Sequence, residues 1–418
     1  MTLDPVDVLS VGLELKDGTT LPVGRLGARR RRIFFEFDPA FLRSGLPLSP
    51  YKLPLESGVH VAKESIFDGL FGVFNDSLPD GWGLLLLDRQ LRRRGIEPGA
   101  LTPLDRLAMV GSNAMGALRY EPDRAPVSAD NQPLVLDDLA AEADRELSGT
   151  PSEILERLVL LAGSSAGARP KILANVSADR SVLQQGTGPR PEGFTPWLIK
   201  FRASGDDAQT GTVEYAYSLM ARAAGLEIPE THLFASSSGP GYFGVRRFDR
   251  TESGAVHMHT ASGLLHTDHR LPSLDYDNLL KAARWLTRDM TEVEKLYRLA
   301  VFNVFSHNRD DHPKNVSFLM DASGHWCVSP AYDLTFSAGP GGEHSMMIAG
   351  EGRSPAQSHI QRLGTDIGIA RKKVLSIIEE VATTVASWPT FAAHARVSEE
   401  KAERIQQVLN RIALQVQK

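Results

Sequence analysis

His307-Asn308-Arg309-Asp310-Asp311-His312-Pro313-Lys314-Asn315 is the densest polar run in an otherwise apolar part of the sequence. It follows a helix-patterned segment ending near Phe305 and precedes the strand-like residues 316–320. Ionisable groups this crowded between two core elements belong to a loop that faces something charged. Asp310 and Asn315 have the Asp-x-x-x-x-Asn spacing of a phosphoryl-transfer loop. In such a loop the carboxylate takes the proton of an attacking hydroxyl and the amide oxygen holds Mg2+. A second carboxylate, Asp333 of Ser329-Pro330-Ala331-Tyr332-Asp333-Leu334, closes the strand-like residues 326–329, where a kinase keeps its other magnesium ligand. Magnesium takes hard oxygen ligands and retains several waters, so one carboxylate, one amide and phosphate oxygens suffice.

Two further segments suit an anionic nucleotide. Lys200 is embedded in Trp197-Leu198-Ile199-Lys200-Phe201, and an ammonium in an apolar strand is costly unless it meets an anion such as ATP phosphate. Gly163-Ser164-Ser165-Ala166-Gly167-Ala168-Arg169-Pro170-Lys171 has the small residues that let backbone N–H groups approach phosphates. Tyr242-Phe243-Gly244-Val245-Arg246-Arg247-Phe248-Asp249-Arg250 reads as a strand entering an inter-lobe connection, where backbone groups can read an adenine edge. Taken singly, Lys200 is a snorkelling edge lysine, 163–171 a turn, Asp333 a turn carboxylate and His312 a structural histidine. Small-residue loop, strand lysine, Asp-x4-Asn and Asp in that order make a joint kinase signal.

The elements that position them follow from periodicity. Alternation predicts strands over 8–15, 20–26 and 32–37, and Leu84, Leu87 and Leu91 predict a helix over 81–94 that Gly95 ends. Residues 122–133 read as a surface connection, 135–148 and 152–161 as helices, and 171–248 as dominated by strands, with 186–196 a hairpin loop between two of them. Helical pattern returns over 276–286, over 291–306 with Thr291 as N-cap, and from 372 onward. No solenoid repeat is present. A strand-rich part followed by a helix-rich part is the coarse expectation.

Composition bounds the class. A chain of 418 residues predicts two or three subdomains, and 42% apolar with 23% charged residues is ordinary for a globular protein. The formal charge of −5 gives no reason to expect a surface that binds nucleic acid throughout. The single cysteine, Cys327, excludes an intramolecular disulfide and a thiolate metal site. The acidic start lacks a signal-peptide pattern, and no stretch reaches the ~18 apolar residues of a membrane span, so a cytoplasmic protein is expected.

With these motifs in place the chain resembles the HipA family of serine/threonine kinases, the toxins of HipBA toxin–antitoxin systems. The resemblance rests on Phe74-Asn75-Asp76-Ser77-Leu78-Pro79-Asp80-Gly81-Trp82, on 164–171, and on Val301-Phe302-Asn303 through Asn315 together with 330–334. It implies an α+β, two-lobed, protein-kinase-like fold with residues 1–122 as a β-rich subdomain. Residues 135–260 would be a kinase N-lobe-like region with the ATP loop, and 261–418 a helical C-lobe with the catalytic loop. It implies ATP and Mg2+ as cofactors, Asp310 as catalytic base, Lys200 on phosphate, and Asn315 and Asp333 on the metal. Ala166, Gly167, Ala168, Arg169, Pro170 and Lys171 would lie along ATP, Arg246, Arg247 and Phe248 at the adenine, and His312, Pro313, Lys314, Asn315 and Tyr332 around the site. The resemblance also implies autophosphorylation at Ser164. Ser165 beside it leaves the position open between the two. A phosphoserine of charge near −2 beside ATP would eject the loop and switch the kinase off. Asp311 adds a charge that would tune or weaken metal binding.

By the same resemblance the partners are a helix-turn-helix antitoxin of the HipB type and a protein substrate such as an aminoacyl-tRNA synthetase. Operator DNA would be reached mainly through the antitoxin. Three other readings compete. A small-molecule phosphotransferase of the aminoglycoside-kinase type shares the Asp/Asn/Asp set but has no need of the N-terminal extension. An inactive kinase could serve as a DNA-bound corepressor through the basic runs 29–32 and 92–94, which otherwise read as solvated faces or salt bridges. A metallohydrolase on His307, Asp310, Asp311 and His312 suffers from crowding and leaves Lys200 without a role.

Overall fold

The computed structural model describes residues 4–16, 18–30, 32–62, 66–126, 132–188, 190–203 and 205–417. The chain divides into two compact units. One comprises Met1–Ala208, Phe234–His259 and Met320–Gly324, and the other Gln209–Leu233, Thr260–Leu319 and His325–Lys418.

In the first unit an antiparallel sheet carries, in spatial order, Val59–Val61, Arg32–Phe37, Thr20–Arg29, Val8–Glu14 and Leu118–Glu121. Its period-2 pattern is plain: Leu9, Val11 and Leu13 are buried while Val8 and Ser10 are exposed. Phe35 packs edge-on to Phe37 at 4.8 Å and against Phe74 at 4.9 Å, which closes the buried face. Helix Gly81–Arg93 ends one residue short of expectation, and Gly95 beyond it takes φ 73°.

A second antiparallel group in this unit runs Leu183–Gln185, Lys171–Ser177, Phe194–Lys200, Tyr242–Arg246 in spatial order. Ile172, Ala174, Val176, Trp197 and Ile199 form one face and pack on Trp82, Leu86, Leu139, Leu158 and Leu161 from helices Gly81–Arg93, Leu136–Leu147 and Leu155–Ala162. Residues 186–196 are therefore no hairpin loop between paired strands, because Leu183–Gln185 and Phe194–Lys200 flank Lys171–Ser177 on opposite sides. The connection crosses that strand closely: the Gly186 N–H bonds the Leu173 carbonyl at 3.1 Å, and a Cβ at Gly186 would meet Leu173 backbone at 2.5 Å. The expected surface connection at 122–133 lies partly outside the described residues, at 127–131.

The second unit is mainly helical. Its centre is Met290–Phe305, where every residue from Leu299 to Phe305 is buried. Around it stand Tyr276–Thr287, Gln357–Asp366, Arg371–Ala386, Trp388–His394 and Glu399–Val416. The N-cap of the central helix is Asp289, whose carboxylate accepts from the Thr291 N–H at 2.8 Å, so Thr291 is the recipient of the cap. A further helix, Thr210–Ala223, interrupts the stretch expected to be dominated by strands. Val213, Ala216, Tyr217 and Met220 recur at helical spacing, and Tyr217 packs on Trp388 at 5.3 Å and donates to the Ser306 carbonyl at 2.6 Å. Among the described residues no helix is long and apolar enough to cross a membrane.

Candidate active site

In the helical unit the central helix delivers its C-terminus straight into the polar run. Of residues 307–315 only Asp310 is exposed; its neighbours Arg309 and Asp311 are buried. The Asp311 carboxylate accepts from Tyr276 Oη at 3.1 Å and from the Ser345 N–H at 2.8 Å, and pairs with His344 Nδ1 at 2.9 Å. Asn303 Nδ2 donates to the same tyrosine at 2.9 Å, and its Oδ1 accepts from Asn308 Nδ2 at 2.9 Å. Asp311 is thus an internal anchor whose lone pairs are spent on the unit's own donors, rather than a second charge at the metal position.

Asn315 Nδ2 donates to the Asp310 carbonyl at 2.8 Å, which leaves its Oδ1 as the acceptor turned away from that bond. Tyr332 Oη donates to the Lys314 carbonyl at 2.6 Å and lies 2.7 Å from Ser317 Oγ, so the segment carrying Asp333 is tied to the loop. Further along, the Ser337 N–H bonds the His307 carbonyl at 3.1 Å and its carbonyl accepts from the Arg309 N–H at 3.1 Å. Asp333 sits at φ 58° and His307 at φ 52°, left-handed conformations that Asp and His adopt more readily than most non-glycine residues. Burial, and then Arg309, lowers the His307 imidazole to about 4. His312 Nδ1 is buried with no hydrogen-bond partner among the described residues, an open valence of the kind a bound ligand satisfies. His307, Asp310, Asp311 and His312 do not converge: among the described residues no group of three or more His, Cys, Asp or Glu is placed to hold a metal. The amide oxygen of Asn315 and the carboxylate of Asp333 are hard donors and fit magnesium by chemistry.

The strand-rich unit holds the nucleotide candidates. Lys200 stands in register with Lys171 and with Phe243, on the face opposite the buried Ile199, and its Nζ lies 5.7 Å from the Phe243 ring centre. The loop at 163–171 is held from outside itself. Ser164 Oγ accepts from the Met115 N–H at 2.8 Å, and Ser165 Oγ donates to the Ala162 carbonyl at 2.7 Å. Both serines are buried. The Gly167 N–H bonds the Asp80 carboxylate and its carbonyl accepts from the Trp82 N–H at 3.0 Å. Asp80 precedes a helix but caps nothing there; its side chain is spent on the loop. Gly81 has to be glycine, since at φ 45° a Cβ would meet the Gly167 carbonyl at 2.5 Å. Lys171 Nζ donates to the Ala166 carbonyl, Arg169 pairs with Asp206 at 3.0 Å, and the Pro170 carbonyl accepts from the Phe201 N–H at 2.8 Å. Ala166 and Ala168 are the exposed residues of the loop.

Of the adenine candidates, Arg246 and Phe248 are half-buried. Arg247 gives its N–H to the Pro196 carbonyl at 2.8 Å and its Nε and Nη2 to Asp249 at 2.9 and 2.7 Å. Burial would raise the Asp249 carboxyl, but Arg247 and Arg250 outweigh it and hold the group below the usual carboxylate range.

Sequence reasoning did not find the anchoring roles of Tyr276, Asn303 and His344, nor the grip of Asp80 on the loop. Asp80-Gly81-Trp82 belongs to a motif of the sequence, but nothing in its spacing names Gly167 as its partner. Of the basic runs, Arg93 and Arg94 pair with Glu146 at 3.1 Å and Glu156 at 2.8 Å, the salt-bridge reading, while Arg31 lies outside the described residues.

Two family profiles match the chain, the HipA N-terminal domain over residues 19–121 and the HipA-like C-terminal domain over 163–388. A solved complex of Shewanella oneidensis MR-1 HipA with HipB and operator DNA has a similar HipA chain. The TM-score is 0.70 at 18% identity, covering 98% of this chain and 96% of that one, a likeness of fold. Two Sinorhizobium fredii proteins named as kinases are similar in sequence. Y4dM is 28% identical over 169 residues, 37% of this chain and 39% of that protein. Y4mE is 26% identical over 323 residues, 68% of this chain and 70% of that protein. The first match therefore spans well under half of its relative. With more than half its length matched by the C-terminal profile, and with a HipA-like α+β fold, this chain belongs to the HipA family.

Proposed function

We propose that this chain is an ATP- and Mg2+-dependent serine/threonine protein kinase acting as the toxin of a type II toxin–antitoxin system. The observation that carries the reading is the exposure of Asp310. Every other carboxylate, amide and imidazole of its loop is half-buried or buried, while Asp310 alone is exposed beside an amide whose oxygen is spare. In this reading the Asp310 carboxylate accepts the hydrogen bond of an acceptor hydroxyl. It takes that proton as the oxygen bonds the γ-phosphorus and the bond to ADP breaks. Magnesium, held by Asn315 Oδ1 and the Asp333 carboxylate, would supply charge neutralisation at the phosphate oxygens. Lys200 contacts phosphate, residues 166–171 run along it, and Arg246 to Phe248 meet the adenine, with the Arg247 N–H already engaged. His312, Pro313, Lys314 and Tyr332 close the site.

Ser164 is the proposed autophosphorylation position, with Ser165 the alternative. At 2% exposure between the Met115 N–H and the Asn113 carbonyl, a phosphoryl group has no room at Ser164, so modification expels the loop. Residues 1–122 are proposed as the β-rich subdomain, 135–260 as the N-lobe-like region and 261–418 as the catalytic lobe. The proposed setting is cytoplasmic, with a HipB-type helix-turn-helix antitoxin, operator DNA reached through it, and a translation component such as an aminoacyl-tRNA synthetase as target. The test is incubation of the purified chain with labelled ATP and Mg2+, wild type beside Asp310→Ala, followed by phosphosite mapping. Label on Ser164 or Ser165 in wild type alone is expected; absence of both label and ATP binding would sink the kinase reading.

A further inference from the structure

A cavity of about 530 Å3 opens within the strand-rich unit, walled by strand and loop residues of the first and second sheets and by residues 247 and 250–255. It shares Arg247 with the residues proposed to meet ATP, but none of residues 166–171 and not Lys200. Its volume falls within the ~300–1,000 Å3 range of small-ligand sites. What distinguishes it is charge. Among the described residues, Lys16, Arg119, Arg190, Arg247 and Arg250 line it against two carboxylates, Glu14 and Glu252.

The internal pairings leave that excess in place. Arg119 pairs with Glu14, and Arg250 shares Asp249 with Arg247 at 2.8 Å while reaching the Gly116 and Ala114 carbonyls at 2.9 Å each. Asp249, just behind the wall, thus answers two guanidinium groups with one charge. Arg247 spends Nε and Nη2 there and keeps Nη1 outside the pair. Among the described residues Arg190 at the mouth bonds the Thr251 and Glu252 carbonyls, at 3.1 and 3.4 Å, and neither carbonyl carries a formal charge. Burial, then Arg247, lowers the Arg250 guanidinium to about 9, as expected where like charges share too few counterions. Guanidinium groups fixed in a fork by backbone carbonyls are pre-oriented for phosphate oxygens. No aromatic ring lines the cavity among the described residues, so it offers no platform for a nucleobase.

We propose that this cavity binds a compact phosphorylated ligand, an oligophosphate or sugar phosphate, at a site separate from the nucleotide loop. One wall of the cavity includes Asn113, whose carbonyl accepts from Ser164 Oγ at 3.4 Å, so an occupant would touch the segment that holds the loop serine.

The probe is inorganic pyrophosphate without Mg2+, titrated into the full chain by calorimetry at low salt. Lys16 and Arg190 are exposed at the rim, so the double variant Lys16→Gln/Arg190→Gln gives up only the Arg190 bonds to the Thr251 and Glu252 carbonyls and leaves the pairings of Asp249 and Glu14 intact. Saturable binding to wild type is expected, weakened about tenfold or more in that variant, since charge-assisted hydrogen bonds to two side chains are lost. Binding is expected to persist in Lys200→Met, which removes the proposed ATP-phosphate contact. No saturable binding up to millimolar pyrophosphate, or equal affinity in the rim variant, overturns the proposal. Loss of binding in Lys200→Met alone would also overturn it by assigning pyrophosphate to the nucleotide site. Failure of the kinase reading itself would leave all three titrations unchanged.

Discussion

Around Asp310 the supports are the buried side chains of residues 276, 303 and 344 and the Ser345 N–H, which close on Asp311 and Asn308 and belong to the core of the helical unit. Around the loop at 163–171 the supports are few and come from separate segments: Asp80 and Trp82 on Gly167, Met115 on Ser164, and Phe201 and Asp206 on Pro170 and Arg169. The first arrangement cannot relax without opening a core, which suits a group that must hold one position through a reaction. The second consists of a handful of polar contacts, each worth only about 1 kcal/mol net, so it can be released. One unit fixes its polar run through its core, and the other holds its loop through a few hydrogen bonds from distant segments.

Substitutions can break or sharpen this contrast. The largest effect is expected for Asp310→Ala: phosphotransfer from labelled ATP should fall about 10²–10⁴-fold while the thermal midpoint stays put, because the side chain is exposed. A matching drop in stability would show that Asp310 is part of the internal network after all. Next comes Asp311→Ala, which strands the Tyr276 hydroxyl, the His344 ring and the Ser345 N–H. It should cost about 3 kcal/mol in urea unfolding, with Asp311→Asn recovering part.

Asp80→Ala should leave global unfolding within about 1 kcal/mol of wild type, yet raise amide exchange across 164–169 roughly tenfold. Slow exchange in that variant would mean the loop is fixed by its own packing. Tyr332→Phe should cost about 1 kcal/mol through the lost bond to the Lys314 carbonyl. The smallest effect concerns pH. Burial lowers His257 in the strand-rich unit, and His307 in the helical unit, from 6.5 to about 4. Between those values the unfolded chain takes protons that the folded rings refuse. Each therefore contributes stability that is full above pH 6.5 and declines as pH falls toward 4. His257→Phe and His307→Phe should flatten the melting-temperature profile in that window, more at fully buried His257 than at half-buried, solvent-screened His307.

The candidates for the site were legible in residue types alone, for a physical reason. Asp310, Asn315, Asp333 and Lys200 stand out because they lie next to apolar core elements, where a buried carboxylate or ammonium would need a charged partner. The strands 8–14 and 32–37 and the helix 81–93 were legible because burial on one face imposes a period on each. Helix Thr210–Ala223 was missed because its neighbours on both sides alternate like strands, and its apolar face makes sense only once Trp388 packs on Tyr217.

The chain order of chemical groups, and the family it points to, were determined by the sequence itself, since each motif is local. Only the tertiary structure decided that Asp311 faces inward while Asp310 faces out. It also decided that 186–196 crosses a strand and that Asp80 reaches a glycine far along the chain. Those outcomes depend on which distant donors and surfaces are brought within a hydrogen bond's reach, and no local spacing carries that information.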